Sequence, residues 1–190
     1  MVYENIIEAT EDFDSKYCIG VGGHGSVYKA ELPTSQAVAV KKLHPLLTDE
    51  TFNQKTFTSE IRALTEIRHY NIVKLYGFCS HPWHSLLVYE YLEWGSLVQV
   101  LNSEEEANAF DWNKRVSVVK DVANALSYMH HDCSLPIIHQ DISSKNVLLN
   151  LKCVAHIADF GAARLLKLDS SHWISLAGTT GYMALGKFFF

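Results

Sequence analysis

Up to about residue 92 the hydrophobic pattern runs mostly in short alternating stretches. Beyond it, helical spacing takes over. Residues 26–32, SVYKAEL, alternate as a half-buried strand does and stop at Pro33. AVAVKK at 37–42 reads as a second strand that ends on two lysines. Phe57, Ile61, Leu64 and Arg68 recur at three- and four-residue steps, which predicts a helix over Phe52–Arg68. Two more strands follow at 72–78 (IVKLYGF) and 86–92 (LLVYEYL), with His81-Pro82 in the turn between them. With the strand that leads into the glycine turn at Gly20–Gly25, these predict a small antiparallel sheet of five strands with one helix. Trp94-Gly95-Ser96 breaks the pattern and reads as a linker. From Trp112, apolar residues at Val116, Val119, Ala123, Leu126 and Met129 form a stripe that predicts a core helix. The short apolar runs Asn146–Leu149 and Val154–Ile157 predict a hairpin. Ala162–Leu176 is polar, with Ser170, Ser171 and Ser175, and reads as a mobile loop.

Composition narrows the class. The chain has 190 residues, enough for one large domain or two small lobes, and 48% of them are hydrophobic, which argues for a packed core and against disorder. A net charge of −5 argues against nucleic acid as a partner. Cys18, Cys79, Cys133 and Cys153 are scattered with no CxxC pair, as reduced thiols of a cytosolic protein would be. The ten histidines show no HExxH pattern. The N-terminus lacks the basic start and apolar run of a signal peptide, and no stretch reaches the length of a membrane span. A soluble, cytoplasmic chain is expected. Glu104–Glu106 reads as a solvated loop or a helix start.

The candidate chemistry lies in three places. Gly20, Gly22 and Gly25 form G-x-G-x-x-G. A dinucleotide-binding turn would need a helix after the last glycine, and a strand follows instead. Two strands joined by a glycine turn make a flap whose backbone N–H groups can approach phosphate oxygens; the plain alternative is an ordinary glycine-rich hairpin. Alternation with Val38 and Val40 on one face and Ala37, Ala39 and Lys41 on the other makes Lys41 the inward lysine and Lys42 its solvated neighbour. Glu60 borders the apolar face of the predicted helix, where it is either a partner for Lys41 or a surface glutamate. Between Ile137 and Gly161, Asp141, Asn146 and Asp159 fall on neighbouring turns of one hairpin. A base and two oxygen ligands so placed are what phosphoryl transfer with a hard metal ion requires.

Taken in order, GVGGHGSV, VAVK, a helical Glu, HxD…N, DFG and GTxGY resemble the eukaryotic protein kinase family. The wording EATEDFD, VYKAEL, LVYEYLEWGSL, HQDISSKNVLLN and DFGAARLL is most similar to plant leucine-rich-repeat receptor-like serine/threonine kinases. The resemblance runs from about residue 10 to residue 184. It implies an α+β, protein-kinase-like two-lobe fold. An antiparallel-sheet N-lobe with one main helix would span 14–93, and a partial, mainly helical C-lobe 94–184. Residues 1–13 would be a juxtamembrane-like segment and 185–190 an aberrant tail. It also implies ATP and Mg²⁺ as cofactors, and protein substrates and related receptor kinases as partners. Ile19 would border the nucleotide, and Gly20, Gly22 and Gly25 would cover its phosphates. Lys41 would hold the α- and β-phosphates and pair with Glu60. Val27, Ala39 and Leu148 would sandwich the adenine, Glu90 and Leu92 would offer it backbone groups, and Tyr89 would guard the back of the pocket. Asp141 would accept the proton of the substrate hydroxyl or orient it, while Asn146 and Asp159 would bind the metal. Leu64, Leu75, His139 and Phe160 would stack as an internal spine.

The sequence departs from the family pattern in three places. The usual HRD is His139-Gln140-Asp141, and a neutral Gln cannot clamp a phosphorylated loop as Arg does. Switching by phosphorylation at Ser170, Ser171 or Ser175 through that clamp is therefore not expected. Ser143 replaces the usual catalytic-loop lysine, and Lys145, four residues after Asp141, is the candidate to reach the γ-phosphate; the alternative is a solvent-facing Lys145. GTTGY with Thr179 resembles the loop of serine/threonine-specific members. After Met183-Ala184 the Pro-Glu of the family is absent, as are roughly 80 further residues of an ordinary kinase domain. Lys187 and three phenylalanines resemble a frameshift, intron read-through or truncated gene product. An active Ser/Thr kinase is thus expected on kinship. The alternatives are an impaired kinase serving as an ATP-binding or interaction module, and a fragment without function.

Overall fold

The computed structural model describes residues 3–23, 25–44, 50–80 and 85–166. The His81-Pro82 turn, the serines at 170, 171 and 175, Thr179 and the terminal Lys187-Phe tail lie outside the described residues. The chain divides into two compact units, Met1–Thr58 with Lys74–Tyr91, and Ser59–Val73 with Leu92–Phe190.

The first unit is built on a five-stranded antiparallel sheet in the order β1-β2-β3-β5-β4. Its strands are β1 (Cys18–Val21), β2 (Gly25–Glu31), β3 (Ala37–Leu43), β4 (Leu75–Ser80) and β5 (Ser85–Glu90). Directly paired residues of an antiparallel sheet share a face, so the register assigns the two faces. Val27 pairs with Lys41 and Lys41 with Leu87; Ala39 pairs with Tyr89. These side chains lie on one face, called here the inner face. Tyr28, Val40 and Val88 form a row on the outer face, where Ala30, Leu32, Val38 and Leu86 also pack. The helix α1 (Tyr3–Ala9) closes that outer face with Ile6, and Phe13 joins the same core. Only two adjacent isoleucines mark α1 in the sequence, and its order comes from this packing. The choice of Lys41 as the inward lysine holds: it is buried, while Lys42 is half-buried on the opposite face.

The helix α2 (Glu50–Glu66) matches the expected one within two residues at each end. Three other expectations need correction. The strand begins at Leu75 rather than at residue 72. Ile72 forms an isolated parallel bridge to Ile157, and Val73 N–H donates to the Ile157 carbonyl (2.9 Å). An apolar run does not say which strand will satisfy it. Trp94-Gly95-Ser96 is not merely a linker. Gly95 turns the chain at φ +68°, and Gly95–Ser96 (β6) pairs with β8.

The third correction concerns the helix α5 (Trp112–Ser127), which follows the short helices α3 (Leu97–Asn102) and α4 (Glu104–Ala109). Asp111 caps α5 by accepting from Lys114 N–H (2.9 Å). Its buried face carries Val118, Val122, Ala125 and then Met129 in the following turn. Of the expected stripe, Met129 is buried as expected, but Val116, Val119, Ala123 and Leu126 lie roughly a third of a turn away, and Val119 is 67% exposed. Periodicity found an apolar face, but the helix carries two and only packing decides between them. The core of the second unit gathers Val100, Phe110, Val118, Val147, Leu149 and Ala155. β8 (Val147–Leu149) and β9 (Ala155–Ile157) form the expected hairpin, and β7 (Ile137–Ile138) pairs with β10 (Arg164–Leu165).

Candidate active site

The inner face of the first unit offers a surface for a flat group with a phosphate tail. Val27 and Ala39 are half-buried there, Tyr89 is buried, and Ile19 on β1 is exposed. The glycine hairpin closes through a Gly22 N–H bond to the Gly25 carbonyl (2.9 Å). The glycines do different jobs. A Cβ on Gly25 would meet the Lys42 carbonyl oxygen at 2.5 Å, so that glycine is required by strand packing. A Cβ on Gly20 would meet nothing within 4 Å. Space over Gly20 leaves its backbone open to a ligand such as a phosphate. Ser26, next to the hairpin, shares a 2.8 Å hydrogen bond with His44. Glu90 N–H donates to the Lys74 carbonyl (3.0 Å), and its carboxylate accepts from Lys74 N–H (2.8 Å).

In the second unit the Asp141, Asn146 and Asp159 positions are tied together through one peptide. Ala158 N–H donates to the Asn146 carbonyl (2.8 Å), and the Ala158 carbonyl accepts from His139 Nε2 (3.0 Å). Asn146 Nδ2 donates to both the carbonyl and the Oδ2 of Asp141, each at 2.9 Å. Asp141 N–H donates to His139 Nδ1 (3.3 Å). The imidazole thus has its proton on Nε2 and an accepting lone pair on Nδ1, the neutral form. Burial lowers its pKa, which fits that assignment. Phe160 packs edge-on against His139 with ring centroids 4.7 Å apart, and Leu64 is buried in the same unit, while Leu75 opens β4 in the other. Asp159 and Gln140 both have left-handed backbone, φ +62° and +70°. Such strain in two non-glycine residues persists only where surrounding contacts over-determine it.

The donor set fits a hard divalent cation. With its amide nitrogen engaged by Asp141, Asn146 keeps a carbonyl-type oxygen to offer, and Asp159 supplies a carboxylate. Leu148 projects from β8 on the side away from the core that holds Val147 and Leu149, and is half-buried. Leu92 is buried, and its carbonyl accepts from Gly95 N–H (3.1 Å). Glu60 is fully buried in α2. Lys145 is exposed and Ser143 is buried. Gln140 is buried, and its Oε1 has no hydrogen-bond partner among the described residues. Sequence reading did not single out Ala158. A small residue that acts through its main chain carries no signal in its side chain.

Comparison with known proteins agrees with this geometry. The family described as the protein kinase domain matches residues 13–185, so the chain belongs to the protein kinase domain family. The chain is 58% identical to MDIS1-interacting receptor like kinase 2 of Arabidopsis thaliana, over 96% of this chain and 18% of that protein. It is 52% identical to a probable leucine-rich repeat receptor-like protein kinase of the same plant, over 96% of this chain and 16% of that protein. An LRR receptor-like serine/threonine-protein kinase of Oryza sativa subsp. japonica is 38% identical, over 95% of this chain and 18% of that protein. The chain therefore spans less than a fifth of the length of these relatives. No helix among the described residues is long and apolar enough to cross a membrane.

Proposed function

We propose that this chain binds ATP with Mg²⁺ and transfers the γ-phosphoryl group to serine or threonine hydroxyls of protein substrates, as the kinase portion of a receptor-like kinase acting in the cytoplasm. The observation that carries this reading is the Ala158 peptide, held on one side by Asn146 and on the other by His139, with Asp141 bonded to both. Phosphoryl transfer depends on positioning and charge neutralisation more than on covalent help, and a web that ties the Asn146 amide to Asp141 beside the residue that precedes Asp159 supports this reading.

In this mechanism Asp141 orients the substrate hydroxyl and takes its proton. Asn146 and Asp159 supply the protein's oxygen ligands to the metal, whose chemistry is to neutralise phosphate charge. Lys41 holds the α- and β-phosphates, with Glu60 as the counter-charge. The backbone of Gly20, Gly22 and Gly25 covers the phosphates. Ile19, Val27, Ala39 and Leu148 contact the adenine ring, Glu90 and Leu92 offer it backbone groups, and Tyr89 limits the depth of the pocket. Lys145 serves the γ-phosphate in place of the cation missing at Ser143. Because Gln140 is neutral, phosphorylation at Ser170, Ser171 or Ser175 does not switch the chain through a clamp at that position. Related receptor kinases and protein substrates are the partners.

A second reading, an impaired module that binds ATP without transferring phosphate, draws on the exposed Lys145 and the buried Ser143. One measurement tests what the two readings share and another separates them. Mg-ATP raises the melting temperature under both readings, and Lys41→Met reduces that shift. Under the first alone, the acid hydrolysate of a labelled protein substrate contains phosphoserine or phosphothreonine.

A further inference from the structure

We infer that Phe13, through Lys42, is a positioning residue for the phosphate-holding Lys41, so that the seating of the N-terminal segment sets the affinity for the triphosphate. This rests on the nucleotide reading above.

Glu11, Asp12 and Phe13 have φ of +46°, +57° and +64° in succession. Left-handed backbone costs an L-residue roughly 1–2 kcal/mol, so three in a row need a reason. Thr10 holds the turn. It is fully buried, its hydroxyl donates to the Ile6 carbonyl (2.7 Å) and accepts from Phe13 N–H (3.2 Å), and its carbonyl accepts from Asp14 N–H (2.9 Å). The product of this geometry is the placement of the Phe13 ring. It packs edge-on to Tyr28 at 5.2 Å, and Lys42 Nζ lies 4.2 Å from its centroid. Lys42 is the immediate neighbour of Lys41 and points to the opposite face of β3. The ladders to β2 and β5 set the face on which each lysine leaves β3, and the ammonium held over the ring adds a side-chain restraint at the residue that shares a peptide bond with Lys41.

The test uses the full chain and calorimetric affinities for Mg-ATP and for adenosine, which lacks the phosphates. Phe13→Leu and Lys42→Met each weaken Mg-ATP binding about threefold, the scale of one partly exposed cation–π contact. The double variant is no weaker than either single one. Lys42→Arg keeps the wild-type affinity, and adenosine binds all variants alike. Lys42→Met is at a half-buried position and keeps the test valid if Phe13→Leu fails to fold. Equal Mg-ATP affinities in all variants, or equal losses for adenosine and Mg-ATP, overturn the inference and leave the nucleotide reading standing. A wild-type chain that binds neither ligand overturns both.

Discussion

The glycine hairpin and the segment from His139 to Asp159 are both assigned to phosphate chemistry, yet they are held by different means. The hairpin is held by a backbone ladder, one closing bond from Gly22 to Gly25 and the Ser26–His44 pair. Val21, the last residue of β1, is 75% exposed. The segment from His139 to Asp159 is held by the His139 ring, bonded to the Ala158 carbonyl and the Asp141 N–H, by the Asn146 amide on Asp141, and by the Asn146 carbonyl, which accepts from Ala158 N–H. Main-chain ladders tolerate many sequences, whereas a web of shared side-chain bonds does not. The hairpin rests on main-chain pairing, and the segment is a fixture of shared side-chain bonds.

That contrast can be broken at several points. Asn146→Ala removes the donor that holds Asp141 and, under the proposed mechanism, one oxygen ligand at once. It is expected to lower phosphoryl transfer by about 10²–10³ with little change in melting temperature, since its backbone bond to Ala158 remains. A loss of only a few-fold in kcat would show that the fixture does not depend on its shared bonds.

Within the hairpin, Gly25→Ala places a methyl group against the Lys42 carbonyl and is expected to destabilise the fold by about 1–3 kcal/mol, read from chemical denaturation. Gly20→Ala meets no neighbour. It is expected to leave stability unchanged within about 0.5 kcal/mol and to weaken Mg-ATP binding. Equal stability losses in the two variants would remove the distinction between packing glycine and ligand glycine. Ser26→Ala breaks the His44 bond and should cost about 1 kcal/mol, the same as His44→Ala alone and as both together.

The smallest expected effect is a pH dependence of the fixture. Burial holds the His139 pKa below its ordinary 6.5. The unfolded chain therefore takes up a proton that the folded chain refuses, and stability is complete above about pH 6.5 and falls as the pH drops through it. Protonation of Nδ1 would also sever the bond from Asp141 N–H. Between roughly pH 7 and pH 5 the melting temperature of His139→Gln should change less than that of the wild type.

Much of this was legible in the sequence. Strand alternation placed Lys41 and Lys42 on opposite faces, and the flap, the hairpin and the identities of Asp141, Asn146 and Asp159 followed from short runs and spacing. What escaped was decided by partners distant in sequence. Ile72 and Val73 continue an apolar run into β4 yet pair with Ile157. Gly95 and Ser96 look like a break, yet they add a strand to the β8–β9 sheet. α5 offered two apolar stripes, and burial chose the one through Val118 and Ala125. The N-terminal turn at Thr10–Phe13 rests on a buried hydroxyl and backbone angles that no local pattern announces.

The central claim is that the residues held in this fixture perform chemistry. It is tested most directly by following label from γ-labelled ATP into a protein substrate, with wild type and Asp141→Asn side by side at equal Mg-ATP occupancy. The account predicts transfer by the wild type and at least about a 100-fold loss in the variant. Equal labelling by both, or none from a wild type saturated with Mg-ATP, would contradict it.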